Sequence, residues 1–347
     1  MFDKLIGNNS VKKIARRMLE QKRVPHSLLL AGAAGVGKKR FALEIAKAFV
    51  CLNPQNSEAC DVCSACKRAE NFAFPKPDDK DAHKEVIFSE QPDIGFVIPQ
   101  GKNILVDAVR ALEREANFRP FEAKARFFLI DDAEKLNSVK DSAANALLKT
   151  LEEPPATSYI FLVSSRPDAL LPTILSRCQI LRFAPIPADE IENYLLRQKH
   201  FSPEDSALLA KISAGSIGRA LETDAGKFRE MRDRMLKVLD ALLARVDRAA
   251  LLRAAEEVND AKNKDLFDAT LEILETLIHD VWTLRLGRSE TVNADIDSQL
   301  SKLATRAADA KRLAAWLAEI ETMRENFRVN LNRKIATDAL FMQMANG

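Results

Sequence analysis

Short apolar runs recur along the first half of the chain, and each has the length and the Phe, Ile, Leu and Val content of a buried strand. Segments with helical periodicity lie between them; Phe41, Ile45 and Phe49, for example, share one helix face. Strands that alternate with helices form βαβ units around a parallel sheet covered on both faces. We therefore predict an α/β domain with a five-stranded parallel sheet. The predicted strands cover residues 26–31, 84–88, 126–131, 159–164 and 179–183.

The hydrophobic pattern changes after residue 185. The stretch Ala184-Pro-Ile-Pro187 is typical of a linker, and the runs that predict strands end there. Short helical segments follow, and long amphipathic helices begin at about residue 226. We therefore predict three domains. They are an α/β domain over residues 1–185, a small helical domain over 186–224 and a helical C-terminal domain over 225–347.

Length and charge narrow the class of protein. The chain has 347 residues, enough for two or three domains that each bury a core. Its 52 Lys and Arg residues against 50 Asp and Glu residues leave a net charge of +2, which excludes binding of nucleic acid through bulk charge but not through a local basic patch. No uncharged apolar stretch reaches the ~20 residues that cross a bilayer, and Met1–Leu5 lacks the features of a secretory signal. We expect a cytoplasmic protein with no membrane partner.

A glycine-rich segment follows the first predicted strand and precedes a predicted helix. It runs Gly32-Ala-Ala-Gly-Val-Gly-Lys38, which fits the first seven positions of a phosphate-binding loop. The eighth position normally carries a Ser or Thr hydroxyl that holds Mg²⁺, but here it is Lys39, which cannot coordinate a metal while protonated. We expect binding of ATP or ADP without efficient hydrolysis; the alternative is a glycine-rich turn with no ligand. The candidate nucleotide-binding residues of this loop are Gly32, Gly35, Val36, Gly37, Lys38 and Lys39.

An acidic pair ends the third predicted strand. Asp131 stands where a nucleotidase places its Mg²⁺ ligand, and Asp132 stands where it places the carboxylate that activates water. Asp132 is one methylene shorter than the usual Glu, which again weakens the case for hydrolysis. Taken alone, such a pair is better explained as solvated turn residues. Because it follows a phosphate loop, we interpret it as a vestigial nucleotide site.

Four of the five cysteines lie within 16 residues of one another. The spacing Cys51-x8-Cys60-x2-Cys63-x2-Cys66 suits a tetrahedral Zn²⁺ with four thiolate ligands. In a reducing compartment, such clustering favours a metal site over disulfides. We predict a closed, structural zinc site in a loop that has no core of its own. The alternatives are a redox-active Cys-x2-Cys pair and unconnected buried thiols; Cys178 is expected to pack beside the fifth strand.

Arg177 precedes the fifth predicted strand, at the edge of an element rather than in a core. An exposed arginine there could reach a nucleotide on a neighbouring subunit and neutralise charge in the transition state. From the surrounding residues alone, a surface arginine in a salt bridge is the better interpretation.

Several motifs together resemble the bacterial clamp-loader ATPase subunits of the AAA+ superfamily. The most specific are Asn145-Ala-Leu-Leu-Lys-Thr-Leu-Glu-Glu-Pro-Pro155 and Leu171-Pro-Thr-Ile-Leu-Ser-Arg-Cys178. Leu5-Ile-Gly-Asn8, Pro25-His-Ser-Leu28 and the four-cysteine spacing match as well. The resemblance is strong over the first two predicted domains. It is looser in the third, where Arg328-Val-Asn-Leu-Asn332 carries it.

The resemblance implies an AAA+ α/β domain, a lid domain and a C-terminal collar that assembles with other subunits. It assigns Arg177 as an arginine finger that acts in trans on ATP held by the adjacent motor subunit, which reverses the interpretation from the surrounding residues. Ser164 or Ser165 falls in the sensor-1 region, and Arg219 matches the sensor-2 arginine of the nucleotide site. The implied partners are the τ/γ motor subunits, the δ subunit, the sliding clamp and primed DNA.

Within this family, Lys39 and Asp132 are typical of the subunits whose phosphate loop is degenerate rather than of the motor subunits, so the resemblance favours the former. We therefore expect a clamp-loader subunit that has no polymerase site and does not hydrolyse ATP alone. Two alternatives stay open: an autonomous AAA+ ATPase of the motor or helicase type, and a zinc-stabilised scaffold that binds DNA directly. Lys140 and Lys149 are candidate contacts to DNA phosphates, although each is better explained as a solvated lysine.

Overall fold

The structure is a computed structural model in which the chain forms two compact units. The first unit contains Met1–Arg197 and Ser213–Leu221, and the second contains Gln198–Ile212 and Glu222–Gly347. The predicted three-domain boundaries, at residues 185 and 224, stay a prediction. The structure describes residues 1–137, 142–198, 200–243, 248–259, 267–307, 309–326 and 333–346.

The first unit is built on a sheet of six strands. The strands are β1 (Ser27–Ala31), β2 (Ile87–Phe88), β3 (Ile94–Val97), β4 (Arg126–Ile130), β5 (Ser158–Ser164) and β6 (Gln179–Arg182). They lie in the order β2-β3-β4-β5-β1-β6, and every neighbouring pair is parallel except β2 and β3. The predicted α/β class is confirmed. Within the described residues, the sheet has five parallel strands, four of which lie at predicted positions, and one antiparallel strand at an edge.

The second predicted strand, over residues 84–88, is wrong for most of its length. Only Ile87–Phe88 form a strand, and this strand is the antiparallel edge of the sheet. The parallel strand in this region is β3, which the apolar pattern did not predict because Gly95 interrupts it. Packing requires that glycine, since a Cβ at position 95 would lie 2.5 Å from Cγ1 of Val86. Gly95 therefore lets Val86 approach β3, and the same glycine interrupts the apolar run by which β3 could have been predicted.

Helices make up most of the rest of the described chain. In chain order they are α1 (Asn9–Glu20), α2 (Lys38–Val50), α3 (Ser64–Arg68), α4 (Val106–Ala116), α5 (Ser142–Glu152), α6 (Pro172–Leu175), α7 (Ala188–Leu196), α8 (Pro203–Ile212), α9 (Ile217–Glu222), α10 (Ala225–Leu243), α11 (Arg248–Val258), α12 (Phe267–Arg285), α13 (Asp297–Arg306), α14 (Ala310–Asn326) and α15 (Arg333–Asn346). None of these helices combines the length and the apolar character that a bilayer crossing requires, within the residues that the structure describes.

Two hydrophobic clusters cover the two faces of the sheet. Along β4, Phe127 and Leu129 pack in the cluster that includes α1 and α2, whereas Phe128 and Ile130 pack in the cluster that includes α4, α5 and α6. All four side chains are fully buried. Burial of a side chain of this size contributes about 1.5–3 kcal/mol, so packing on both faces fixes the ends of the strands where the candidate site lies.

The second unit is helical throughout its described residues, as the pattern after residue 226 predicts. Its central helix is α12, which packs against α10, α13 and α14. The apolar face of α12 is buried, and the buried Asp280 on the same helix accepts hydrogen bonds from the backbone N–H groups of Val292 and Asn293, each at 2.9 Å. A satisfied buried carboxylate thus fixes the loop that leads into α13.

Candidate functional site

The glycine-rich loop joins β1 to α2, as the sequence predicts. Gly35 and Gly37 adopt positive φ angles of 72° and 94°, a region that favours glycine. Gly35 is also close to the turn before α9: its carbonyl accepts the N–H of Gly218 at 2.9 Å, and a Cβ on Gly35 would lie 2.1 Å from Oγ of Ser216. The loop therefore has glycines where its backbone is left-handed, and it is braced by the start of α9.

Lys38, the phosphate-binding lysine of this motif, folds back onto the loop. Its Nζ donates to the carbonyl oxygens of Gly32 and Ala33 at 2.7 and 2.6 Å. The side chain is only 5% exposed, and burial lowers the pKa of its ammonium group against the opposing pull of nearby carboxylates, chiefly Glu134. Binding of a phosphate here requires Nζ to exchange these carbonyl oxygens for phosphate oxygens.

Lys39 lies against the acidic pair. Its Nζ forms an ion pair with Oδ2 of Asp131 at 2.8 Å and stands 5.2 Å from the ring centres of Phe74 and Phe96. Asp131 follows the last residue of β4, and Lys39 is the second residue of α2. The carboxylate predicted to be a Mg²⁺ ligand therefore already has a cation, supplied by the residue that replaces the metal-binding hydroxyl.

The second acidic residue and its neighbours form a small polar network. Asp132, at a positive φ of 45°, pairs with Lys135 at 2.8 Å. Glu134, which the sequence analysis missed, accepts hydrogen bonds from Oγ and N of Ser165 at 2.5 and 3.3 Å. Burial alone would raise the pKa of Glu134, but hydrogen bonds from Ser165 and Ser164 outweigh burial and hold it below its usual range. The only feature of the sequence that could have pointed to Glu134 is its acidic side chain three positions after Asp131.

A cavity of about 800 Å³ opens beside the loop, within the first unit. Gly35 to Lys39, Asp132 and Ser165 line its polar side, and Phe72, Phe74 and Phe96 are among the apolar residues that line the rest. This volume falls within the range of cavities that take small-molecule ligands. Arg219 lies on α9, but it is not among the described residues that line the cavity; its N–H donates to Oγ of Ser216 at 3.1 Å.

The four clustered cysteines converge. Their sulfur atoms all lie within 4.8 Å of one another, and none of the five cysteines of the chain forms a disulfide. Four sulfurs around a zinc ion at ~2.3 Å would stand about 3.8 Å apart, so the described cluster fits a tetrahedral Zn²⁺. Burial raises the pKa of the Cys51 and Cys66 thiols, whereas at Cys63 the hydrogen bonds from the N–H groups of Cys66 and Leu52 outweigh burial and lower the pKa to about 6. Cys178 is buried in the core instead, as predicted.

The cysteine module, residues 51–66, is tied to the rest of the first unit by two carboxylates. Asp61 pairs with Lys47 of α2 at 2.6 Å and with Lys4 at 2.8 Å. Glu58 pairs with Arg16 at 2.5 Å and accepts the N–H of Phe2 at 3.1 Å. These contacts anchor the N-terminal segment, whose residues 4–8 line the cavity.

Lys47 also neutralises part of the charge of an acidic cluster beside the cysteine module. Its Nζ lies 2.5 Å from Glu70 and 3.2 Å from Glu44, in addition to its contact with Asp61. Burial disfavours the charged form of this lysine, but the hydrogen bonds that it donates to Asp61 and Glu70 prevail and raise its pKa. The three carboxylates therefore have an internal cation and do not form a second metal site.

Arg177 lies outside the cavity, at the surface between α6 and β6. It forms an ion pair with Glu152 of α5 and is 31% exposed. This agrees with the salt bridge expected from the residues around it and leaves the arginine finger as a prediction. Lys149 is exposed on α5, whereas Lys140 and residues 328–332 lie outside the described part of the chain.

A glycine-rich loop after the first strand of a parallel sheet, together with an acidic pair at the end of another parallel strand, is the arrangement of a P-loop domain. Residues 7–187 match the family described as "DNA polymerase III, delta subunit". The δ′ subunit of DNA polymerase III from Bacillus subtilis is 27% identical over 97% of this chain and 96% of its own length. The δ′ subunit from Pseudomonas aeruginosa is 32% identical over 92% of both chains. The chain belongs to this family, that of the DNA polymerase III δ′ subunits.

A τ subunit of DNA polymerase III is also similar. The τ subunit of Bacillus subtilis is 28% identical over 79% of this chain, but this chain covers only 46% of τ. The δ′ relatives therefore match the length of the chain, whereas the τ relative extends well beyond it.

Proposed function

We propose that the chain is a subunit of the DNA polymerase III clamp loader, which helps to load the sliding clamp onto primed DNA and does not hydrolyse ATP by itself. The observation that carries this proposal is the 2.8 Å contact between Lys39 and Asp131. In an active P-loop nucleotidase, these two positions hold Mg²⁺. An ammonium group paired with the carboxylate supports a subunit that depends on ATP hydrolysis by a neighbour.

The similarity to τ makes an ATP-hydrolysing motor the second candidate. Lys39 and Asp132 both argue against it, because each replaces a group that hydrolysis uses. The discriminating experiment is an ATPase assay of the isolated chain with Mg-ATP. We expect no turnover above background. Appreciable turnover that disappears in Lys38→Ala would favour the motor instead.

The role proposed for Arg177 is that of an arginine finger acting in trans. Its position after α6, its partial exposure and the Leu171–Cys178 motif support this role. A guanidinium presented at a subunit interface would neutralise charge that develops on the ATP of the adjacent τ/γ motor subunit. The other proposed partners are the δ subunit, the clamp and primed DNA, and the helices from α10 onward are proposed to form the collar.

We propose two ligands for the chain itself. One is a structural Zn²⁺ held by the four clustered cysteines, which supplies a cross-link for a loop with little core of its own. The other is ATP or ADP in the cavity beside the glycine-rich loop, bound without efficient hydrolysis. The convergence of the sulfur atoms supports the first ligand, and the positive φ angles of Gly35 and Gly37 beside a cavity of about 800 Å³ support the second.

The experiment that tests the arginine finger replaces Arg177 by Ala in a loader reconstituted from motor subunits, the δ subunit and this chain. We expect the kcat for DNA-stimulated ATP hydrolysis to fall about tenfold or more, while assembly is unchanged. The matched control is Arg119→Ala, which removes an exposed arginine elsewhere in the first unit. An unchanged turnover rate in the Arg177 variant would reject the finger.

A further inference from the structure

The guanidinium of Arg177 is oriented by groups of its own chain. Its Nη2 atom forms an ion pair with Oε1 of Glu152, and its Nη1 atom donates to the carbonyl oxygen of Thr173 at 2.8 Å. Nη1 also lies 3.4 Å from Oγ of Ser176. A carboxylate from α5 and a carbonyl oxygen of α6 therefore hold the two outer nitrogens of the arginine.

Packing fixes the elements that supply these groups. Glu152 is the last residue of α5, and its neighbour Leu151 is buried in the same hydrophobic cluster as Ile174 of α6. Cys178, which follows Arg177 in the chain, belongs to that cluster as well. Because the backbone on both sides is anchored in the core, the fold itself sets where the carboxylate stands relative to the guanidinium.

The pair stays accessible to a second molecule. Arg177 is 31% exposed and Glu152 is 48% exposed. A guanidinium has five N–H donors, so a carboxylate and the carbonyl of Thr173 leave donors for a phosphate. The adjacent Glu153 is exposed too, and the described structure gives its carboxylate no ion pair. It therefore serves as a matched control with the same charge.

We propose that Glu152 is a positioning residue, which orients Arg177 toward the nucleotide of the adjacent motor subunit. This inference rests on the proposed function, because the orientation matters only if Arg177 acts in trans. An unrestrained arginine samples many rotamers, and a carboxylate partner selects one of them before the subunits dock. A cation that is already oriented stabilises transition-state charge without reorganisation, so Glu152 acts on kcat rather than on the KM for ATP.

The test uses the reconstituted loader with wild-type chain, Glu152→Ala, Glu152→Gln or Glu153→Ala. We expect Glu152→Ala to lower kcat about three- to tenfold with an unchanged KM, as misplacement of a catalytic group does. Glu152→Gln should stay within about twofold of wild type, because its amide oxygen still accepts from Nη2. Glu153→Ala should match wild type. A Glu152→Gln loader as slow as Glu152→Ala would overturn orientation by this hydrogen bond.

A double-mutant cycle separates positioning from folding and assembly. In the Arg177→Ala background, Glu152→Ala should cause no further loss, because no guanidinium remains to be oriented. An equal further loss there would overturn the inference. If Arg177→Ala is slow while Glu152→Ala has wild-type kcat, this inference alone fails. If Arg177→Ala itself has wild-type kcat, the proposed finger fails, and the inference fails with it.

Discussion

Replacement of Lys39 by Thr is expected to return a metal site to the glycine-rich loop. The substitution removes Nζ from its 2.8 Å contact with Asp131 and supplies the hydroxyl that P-loop proteins use to hold Mg²⁺. Nucleotide binding by Lys39→Thr should therefore depend on Mg²⁺. Binding by the wild-type chain should not, because Lys39 already compensates the charge of Asp131.

The size of the effect follows from the ion pair. Two unit charges 2.8 Å apart attract each other by about 1.5 kcal/mol in water and by about 6 kcal/mol at an effective dielectric constant of ~20. The side chains of Lys39 and Asp131 are 45% and 21% exposed, so solvent screening reduces the net contribution to about 0–1 kcal/mol. We therefore expect Lys39→Thr to change the free energy of unfolding by at most ~1 kcal/mol. Mg²⁺ should tighten its binding of ADP about tenfold, or 1.4 kcal/mol.

The assay is fluorescence anisotropy with a labelled ADP, titrated with full-length chain in Mg²⁺ or in EDTA. Lys13→Thr is the matched control, because it removes the same charge from an exposed position on α1. Its binding should resemble wild type in both buffers. The reasoning is refuted if Lys39→Thr binds equally in Mg²⁺ and EDTA, or if EDTA abolishes binding by the wild-type chain.

Two further predictions concern the cysteine module and Glu134. Metal analysis should find about one Zn²⁺ per chain. Cys63→Ser should lower this zinc content, and the control Cys178→Ser should not. Full zinc content in Cys63→Ser would contradict the proposed zinc site. The pKa of Glu134 lies below its ordinary value of 4.5, so its contribution to stability is present above that value and is lost as the pH falls through the folded-state pKa. In urea denaturation, Glu134→Gln should be less stable than wild type by about 1–2 kcal/mol at pH 7, and this difference in stability should shrink below pH 4.5. The exposed Glu153→Gln is the control. A stability difference that does not change with pH would contradict the lowered pKa of Glu134.

Local patterns predicted a large part of the fold. β1, β4, β5 and β6 begin and end within one residue of their predicted limits. For β1, β4 and β5 the reason is that a strand buried on both faces is a continuous apolar run. β3 was missed because Gly95, which the packing of Val86 requires, breaks its run. The glycine-rich loop and the cysteine spacing were equally visible, since their chemistry depends on residues a few positions apart.

The sequence by itself determined which chemical groups the chain has: a phosphate-type loop without its metal-binding hydroxyl, four thiols at ligand spacing, and an arginine at the edge of an element. Only the tertiary structure decided which groups meet. Lys39 contacts Asp131 across 92 positions, Glu134 contacts Ser165, and Glu152 holds Arg177. Parallel strands bring distant residues to one edge of the sheet, but the partner that each side chain takes depends on its direction and burial, which no local pattern encodes.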